Sequence, residues 1–446
     1  MIYSAAILFT AILFISIRLE IWIACPLLAG LAFSAALACK QGTPCNTVAR
    51  HAFEGARNSF AVAETLLYVG ALTAAWRESG TIAYLVYHGL LFLSPPLLLP
   101  GSFILSAIIS MLIGTSVGTI SVLGIPIMII ASSSGTDMPM LAGAIIAGAY
   151  VGDRGSPLSS SAQLVASVTD TLVENNMRRN MRDALPVIVI CSLAYGLLSW
   201  FMPPISPHTD LAEQLGGAFA LTPATLVPAL VVIFGPTFKI RARYIFLCST
   251  LTAIVLATTL QGIPPVKALH GILWGYEIHG TDSLARLFAG GGICSMAAPI
   301  IIVLLSASTI EILIRSAFLT RAERGIALLF PHLGAYLTNA VVSLAASAIA
   351  CNQTLAILFT AKIQQKFYRT PREKTAFAQM ISNTAVLLPV LIPWNVALTL
   401  PLSILGATTA SIPFIFFPLL MPLLGWRCIP PVTPAPDNPA DHRQAP

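Results

Sequence analysis

Apolar stretches recur from one end of this chain to the other, at 2–17, 21–38, 60–93, 99–133, 140–152, 184–202, 221–236, 243–260, 293–314, 325–350, 376–391 and 395–424. Several match or exceed the roughly 20 residues that cross a hydrocarbon core, and others are short or interrupted. Only 9% of the residues are charged and 56% are hydrophobic, where a soluble domain carries about 25% charged residues. No soluble fold hides so much apolar surface. The expected fold class is an all-α polytopic membrane protein, and its length allows about 10 to 13 crossings. The formal charge is +6, carried by short basic runs between apolar segments: Lys40 to Arg57, Arg178 to Arg182, Lys239 to Arg243, Arg321 and Arg324, and Lys362 to Lys374. That is the pattern of cytoplasmic loops and excludes nucleic acid as the partner.

The first apolar segment, Ile2 to Ile17, lacks a basic leader and an A-x-A site, so it reads as a span and not a signal peptide. Eight cysteines are scattered without any C-x-x-C, mostly in apolar runs, and read as reduced, buried and structural, with no metal site. The expected organisation is N-terminal helices and a basic loop at 1–58, a first repeat at 59–202, a connecting region with interfacial helices at 203–292, a second repeat at 293–426 and a disordered Pro-rich tail at 427–446.

The two halves carry matching interruptions. The first has Gly114-Thr115-Ser116-Val117-Gly118-Thr119 and then Ser156-Pro157-Leu158-Ser159; the second has Cys351-Asn352-Gln353-Thr354 and then Ile392-Pro393-Trp394-Asn395. Positions 157 and 393 differ by 236, and the same shift carries 114–119 onto 350–355. Proline removes a backbone hydrogen bond and glycine loosens a helix, so carbonyls and amides are freed where lipid cannot satisfy them. Such groups persist against protein or a wet cavity, where they can meet an ion or a solute. Two inverted-topology repeats with broken helices are therefore expected. A single proline of this kind is more often a packing kink, and it is the pairing that favours a site.

At these residues the sequence resembles the NhaC family of sodium/proton antiporters, whose relatives include a malate/lactate antiporter. The marks run through 60–180 and 293–410: Gly70-Ala71-Leu72, Trp76, Gly80-Thr81-Ile82, Tyr87-His88-Gly89-Leu90, the 114–119 cluster, Ala142 to Arg154, Ser156 to Ser159, Gly290-Gly291-Gly292, Glu311, Asn352-Gln353-Thr354 and Leu391 to Asn395. The resemblance also implies acids that this chain lacks. The family continues after Ser-Pro-Leu-Ser with aspartate and threonines, where this chain has Ser160, Ser161 and Ala162, and it has adjacent Glu and Asp at the positions of Ser382 and Asn383. Three carboxylates expected in the pathway are absent. Serine and asparagine can lend oxygens to an ion but cannot release a proton near neutral pH.

The pathway residues expected on these grounds are Thr115, Ser116, Thr119, Asp153, Ser156, Ser159, Ser160, Glu311, Asn352, Gln353, Thr354, Ser382, Asn383, Thr384, Trp394 and Asn395. Asp153 and Glu311 are ionisable groups in apolar surroundings, which makes each a functional candidate; the plain alternatives are ion pairs with Arg154 and with Arg315. His88 and His332 could titrate near neutral pH, although a lone histidine is more often structural. No catalytic residue, no cofactor and no firm metal site is expected. Na⁺ near Asp153 and Asn383 is the cation site the pattern admits, and Na⁺ or H⁺ is the expected coupling ion. The function expected is a secondary active transporter, an antiporter moving a small ion or an organic acid, in a bacterial inner membrane. Its partners are the bilayer and that solute, and a homodimer is admitted. Na⁺/H⁺ exchange proper and a scaffold without transport are the alternatives. An intramembrane enzyme would need a nucleophile and base or a metal set; the chain has no H-E-x-x-H, and its G-x-S-x-G, Gly114 to Gly118, lies inside an apolar stretch with no histidine beside it in sequence.

Overall fold

The computed structural model describes residues 24–92, 97–134, 136–201, 209–238, 240–277, 288–315 and 318–429. The expected span at 2–17, the start of the connecting region at 203–208 and the tail from 430 lie outside the described residues. The described chain is helical throughout, apart from a β-bridge between Tyr276 and Gly290. In order, the helices of the first half are α1 (Ala24–Lys40), α2 (Cys45–Asn58), α3 (Phe60–Glu78), α4 (Thr81–Phe92), α5 (Leu98–Ile113), α6 (Ser116–Thr119), α7 (Ile125–Ser134), α8 (Met138–Gly155), α9 (Ser160–Val168) and α10 (Val173–Trp200). A π-turn, Ile120–Gly124, joins α6 to α7. The connecting region holds α11 (Thr209–Ala218), α12 (Val227–Phe234), α13 (Ala242–Thr259) and α14 (Pro265–Trp274). The second half holds α15 (Ala297–Ile314), α16 (Phe318–Ala350, broken at Gly334), α17 (Gln353–Gln364), α18 (Pro371–Asn383), α19 (Val396–Leu405) and α20 (Phe416–Leu424).

The chain is an all-α polytopic membrane protein. Among the described residues 4 helices are long and apolar enough to cross a membrane, or up to 6 if each bent pair is one span; four more apolar helices are shorter. Fewer than the expected crossings stand as single long helices because the spans at the breaks are divided between two elements. Helix α10 shows how the bilayer side is written in sequence. Leu185, Val189, Leu193 and Leu197, four residues apart, are exposed, whereas Ala184, Val187, Cys191 and Tyr195 are buried on the other face. An exposed stripe of leucines on a helix this apolar fits a solvent of lipid. Cys191 and Cys351 are buried as expected, but Cys25, Cys45, Cys248 and Cys294 are exposed.

Helices α5 and α8 pack closely through small residues. A Cβ at Gly148 would lie 2.8 Å from that of Ser106, and Gly152 faces Ser110, whose hydroxyl donates to the Ala149 carbonyl. Bare backbone is what lets the two helices touch, as is common where lipid supplies no hydrophobic drive. Gly148→Leu is expected to destabilise the fold by about 1–3 kcal/mol through overpacking, read as a lower melting temperature in detergent. An unchanged melting temperature would show that the pair can part without loss.

The breaks repeat in geometry as well as in spacing. Gly114 ends α5 with φ 78°, and Cys351, after α16, takes φ 49° although it is not glycine. Each is followed by an extended residue that starts the next helix: Thr115 (φ −147°, ψ 131°) and Asn352 (φ −150°, ψ 136°). The second breaks match too. Ser159 (φ −68°, ψ 127°) caps α9, and Asn395 (φ −78°, ψ 137°) caps α19. In both halves the second break bonds back to the last turn before the first. Ser156 Oγ donates to the Met111 carbonyl at 2.8 Å, and Asn395 Nδ2 donates to the Ser347 carbonyl at 2.8 Å. Carbonyls 111 and 347 again stand 236 residues apart.

Candidate functional site

Between the breaks lies a cavity of about 350 Å³. Helix starts converge on it: Thr115 and Ser116 before α6, Ser160 and Ser161 opening α9, Asn352 to Thr354 at α17, and Val396 at α19. The remaining wall is the first turns of α3, with Thr65 as its polar group, and Tyr150 and Asp153 from the last turns of α8. Helix starts present amides and the positive end of the dipole, so these elements together favour negative charge.

One carboxylate sits among them. Asp153 is 5% exposed and accepts from the Ser116 amide at 2.9 Å, from Ser116 Oγ at 2.7 Å and from Gln353 Nε2 at 3.5 Å. The carboxylate turns to the start of α6 and to the cavity. Gln353 ties the halves together. Its Nε2 also donates to the Val386 carbonyl at 2.7 Å, and its Oε1 accepts from Ser161 Oγ at 3.1 Å. Tyr150 closes one side by donating to the Ala397 carbonyl at 2.7 Å.

Of the expected pathway residues, Thr115, Ser116, Asp153, Ser160, Asn352, Gln353 and Thr354 line this cavity. Others support it from behind. Ser159 Oγ donates to the Asp153 carbonyl at 2.7 Å, Thr119 to the Thr115 carbonyl at 2.9 Å, and Trp394 Nε1 to the Ala348 carbonyl at 2.8 Å. Ser156 and Asn395 make the back-bonds already described. Glu311 is elsewhere. It accepts from Arg315 Nε at 2.6 Å, and Arg315 Nη2 lies 2.9 Å from Glu54, so the ion-pair reading describes it. The Glu311 bond raises the Arg315 pKa above its ordinary value. His88 stacks on Tyr84 outside the cavity, and His332 is exposed.

Ser382, Asn383 and Thr384 form a second buried group. Asn383 Oδ1 accepts from Arg154 Nε at 2.9 Å and Nη2 at 2.6 Å, and Arg154 Nη1 donates to the Asn180 carbonyl. The expected Na⁺ between Asp153 and Asn383 therefore meets a guanidinium at the oxygen it would need. Ser382 donates to the Ala378 carbonyl, and Thr384 to that of Met380 while contacting Ser343 at 2.9 Å. Sequence reasoning missed Thr65, Tyr150 and Ser161 as lining residues. The first two lie within helices, away from any break, so the break pattern gave no signal for them.

The sequence profile of the Na⁺/H⁺ antiporter family matches residues 148–426, which includes the second break of the first half and all of the second half. The chain is 26% identical over 370 residues to a malate-2H⁺/Na⁺-lactate antiporter of Bacillus subtilis, covering 81% of this chain and 79% of that one. It is 26% identical over 375 residues to the Na⁺/H⁺ antiporter NhaC of Alkalihalophilus pseudofirmus, covering 80% and 79%. It is 27% identical over 428 residues to the arginine/ornithine antiporter ArcD of Halobacterium salinarum, covering 90% and 87%. The family profile covers more than half of the chain, so the chain belongs to the Na⁺/H⁺ antiporter family, and it is a secondary transporter of the antiporter type.

Proposed function

We propose that this antiporter exchanges small carboxylate-bearing solutes, organic acids or amino acids, across a bacterial inner membrane, and that it does not exchange Na⁺ for H⁺. The carrying observation is the cavity itself: about 350 Å³, with Asp153 as the carboxylate among its lining hydroxyls and amides. That volume falls in the range of small-molecule sites, roughly 300–1,000 Å³. A bare cation needs no such room, and its dehydration in a buried site calls for more negative charge than one carboxylate already bonded to Ser116. Helix starts can hold a solute carboxylate, while an ionised Asp153 repels it. A solute anion and a proton on Asp153 therefore load together, or the ammonium of an amino acid meets Asp153 directly. Two relatives whose names are malate/lactate and arginine/ornithine antiporters support this solute class. We infer also that the halves at 59–202 and 293–426 are inverted-topology repeats, supported by the matching backbone at Gly114 and Cys351.

Proteoliposomes loaded with L-malate, L-lactate, L-arginine or L-ornithine test the reading by counterflow of the labelled compound. Uptake several-fold above empty liposomes is expected for at least one, with no proton flux in everted vesicles on adding Na⁺ or Li⁺. Sodium-driven flux without counterflow would return the function to Na⁺/H⁺ exchange. Neither activity would leave a scaffold that does not transport.

A further inference from the structure

A second cavity, of about 340 Å³, lies along the same helices as the first. Helix α3 lends residues 61–66 to the first and Thr73 and Arg77 to the second. The broken helix α6–α7 gives 115–117 to one and Ile125 to Ser132 to the other, and α19 gives 396–400 and then 403–406. Helix α8 runs the opposite way and agrees, with Tyr150 and Asp153 at the first cavity and Met138 at the second. Four helices thus place the cavities toward opposite ends of one bundle. At about 1.5 Å rise per residue, the step is roughly 10 Å on α3 and about 5 Å on α19. The partition is thin. It contains the π-turn Ile120–Gly124, where Gly124 packs under Leu405; such turns interrupt the regular bonding of a helix and recur at functional sites.

The two ends differ in charge. Arg77 is the ionisable residue among those lining the second cavity, beside the hydroxyls of Thr73, Ser132, Ser295 and Ser403. Its Nη1 donates to the carbonyls of Phe288 and Ala289, both at 2.8 Å, which fixes the guanidinium on the wall. The adjoining glycine run lies directly on α3, since a Cβ at Gly291 (φ 78°) would come within 2.8 Å of the Ala74 amide. A planar, charged fork held on the wall by two carbonyls suits a carboxylate.

We propose that this second cavity is another solute station on the same path, facing the opposite side of the membrane, and that Arg77 receives the solute's carboxylate there. The solute class rests on the proposed function; the placement of the station does not. Single cysteines are introduced as Thr354→Cys and Ser403→Cys in the full-length chain with its native cysteines replaced, and are probed with a membrane-impermeant methanethiosulfonate in right-side-out and everted vesicles. Each should be labelled from one side, and the two from opposite sides; labelling of both from the same side overturns the placement. For the recognition role, Arg77→Gln should raise the KM of counterflow by about 10- to 100-fold, the range for losing a hydrogen bond to a charged group, with Arg77→Lys intermediate and the labelling pattern kept. An unchanged KM in Arg77→Gln overturns that role. If Arg77→Gln fails to fold, Arg77→Lys decides, an unchanged KM there overturning the role. Absence of counterflow in the natural protein removes the role with the solute class, while the labelling still decides the placement.

Discussion

Asp153→Asn should abolish coupled exchange, lowering counterflow on the order of 100-fold, which corresponds to about 2.7 kcal/mol. The amide keeps the shape of the carboxylate and can still accept from the Ser116 amide now 2.9 Å away, so the fold should survive. What it loses is the charge, and with it the ability to take up and release a proton or to hold an ammonium group. Ser116→Ala makes the control. It removes the 2.7 Å hydroxyl bond but leaves the carboxylate and the backbone donor, so it should cost less than the loss of charge. The measurement is counterflow across roughly pH 4–8.5, an interval that covers the ordinary range of carboxyl groups, about 3.5–4.2, and of imidazoles, about 6.6. Asp153→Asn retaining pH-dependent exchange near the natural rate would place the coupling group elsewhere.

The breaks were legible because breakers and capping residues recur at one shared offset in the two halves. Gly114 and Pro157 announce themselves, and Asn352 and Asn395 are capping residues at the starts of short helices. Cys351 is the informative exception. Its residue type gives no hint of a positive φ, and the shared shift of 236 from Gly114 lands one residue earlier, on Ala350. The contents of the cavity were less legible. Serines beside a break look alike in sequence, yet Ser160 lines the space, Ser159 turns back to cap α9 and Ser156 bonds across to α5. Which of them faces the cavity is set by a rotation of one residue about a helix start, and that depends on packing. Arg154 illustrates the same limit. Sequence offered it as an ion partner for Asp153, but neighbours on a helix point about 100° apart, and its guanidinium reaches Asn383 across the bundle. Arg77 sits within the 60–93 stretch, where its place on the wall of a second cavity could be read only once Ala289 and Gly290 were brought beside it.

The largest loss of stability is expected at Asn383, in the group behind the cavity and not in the cavity itself. Asn383→Leu removes the oxygen that accepts two bonds from a guanidinium 1% exposed. A hydrogen bond to a charged group is typically worth about 1.5–3 kcal/mol, so losing two should appear as a large fall in melting temperature in detergent. Asn383→Asp restores the acid that the family resemblance implies, and it does so against Arg154. It should fold as well as the natural protein or better, because the new carboxylate meets two donors already aimed at it. The same variant separates two roles for this position. An acid spent on Arg154 leaves no site for a free cation, so melting of Asn383→Asp should be the same in Na⁺ and in choline at equal ionic strength. A melting temperature that rises with Na⁺ specifically would mean that the side chain at 383 leaves Arg154 to bind the ion. The acid missing here would then be a lost sodium ligand, where the present geometry makes it a lost partner for the guanidinium.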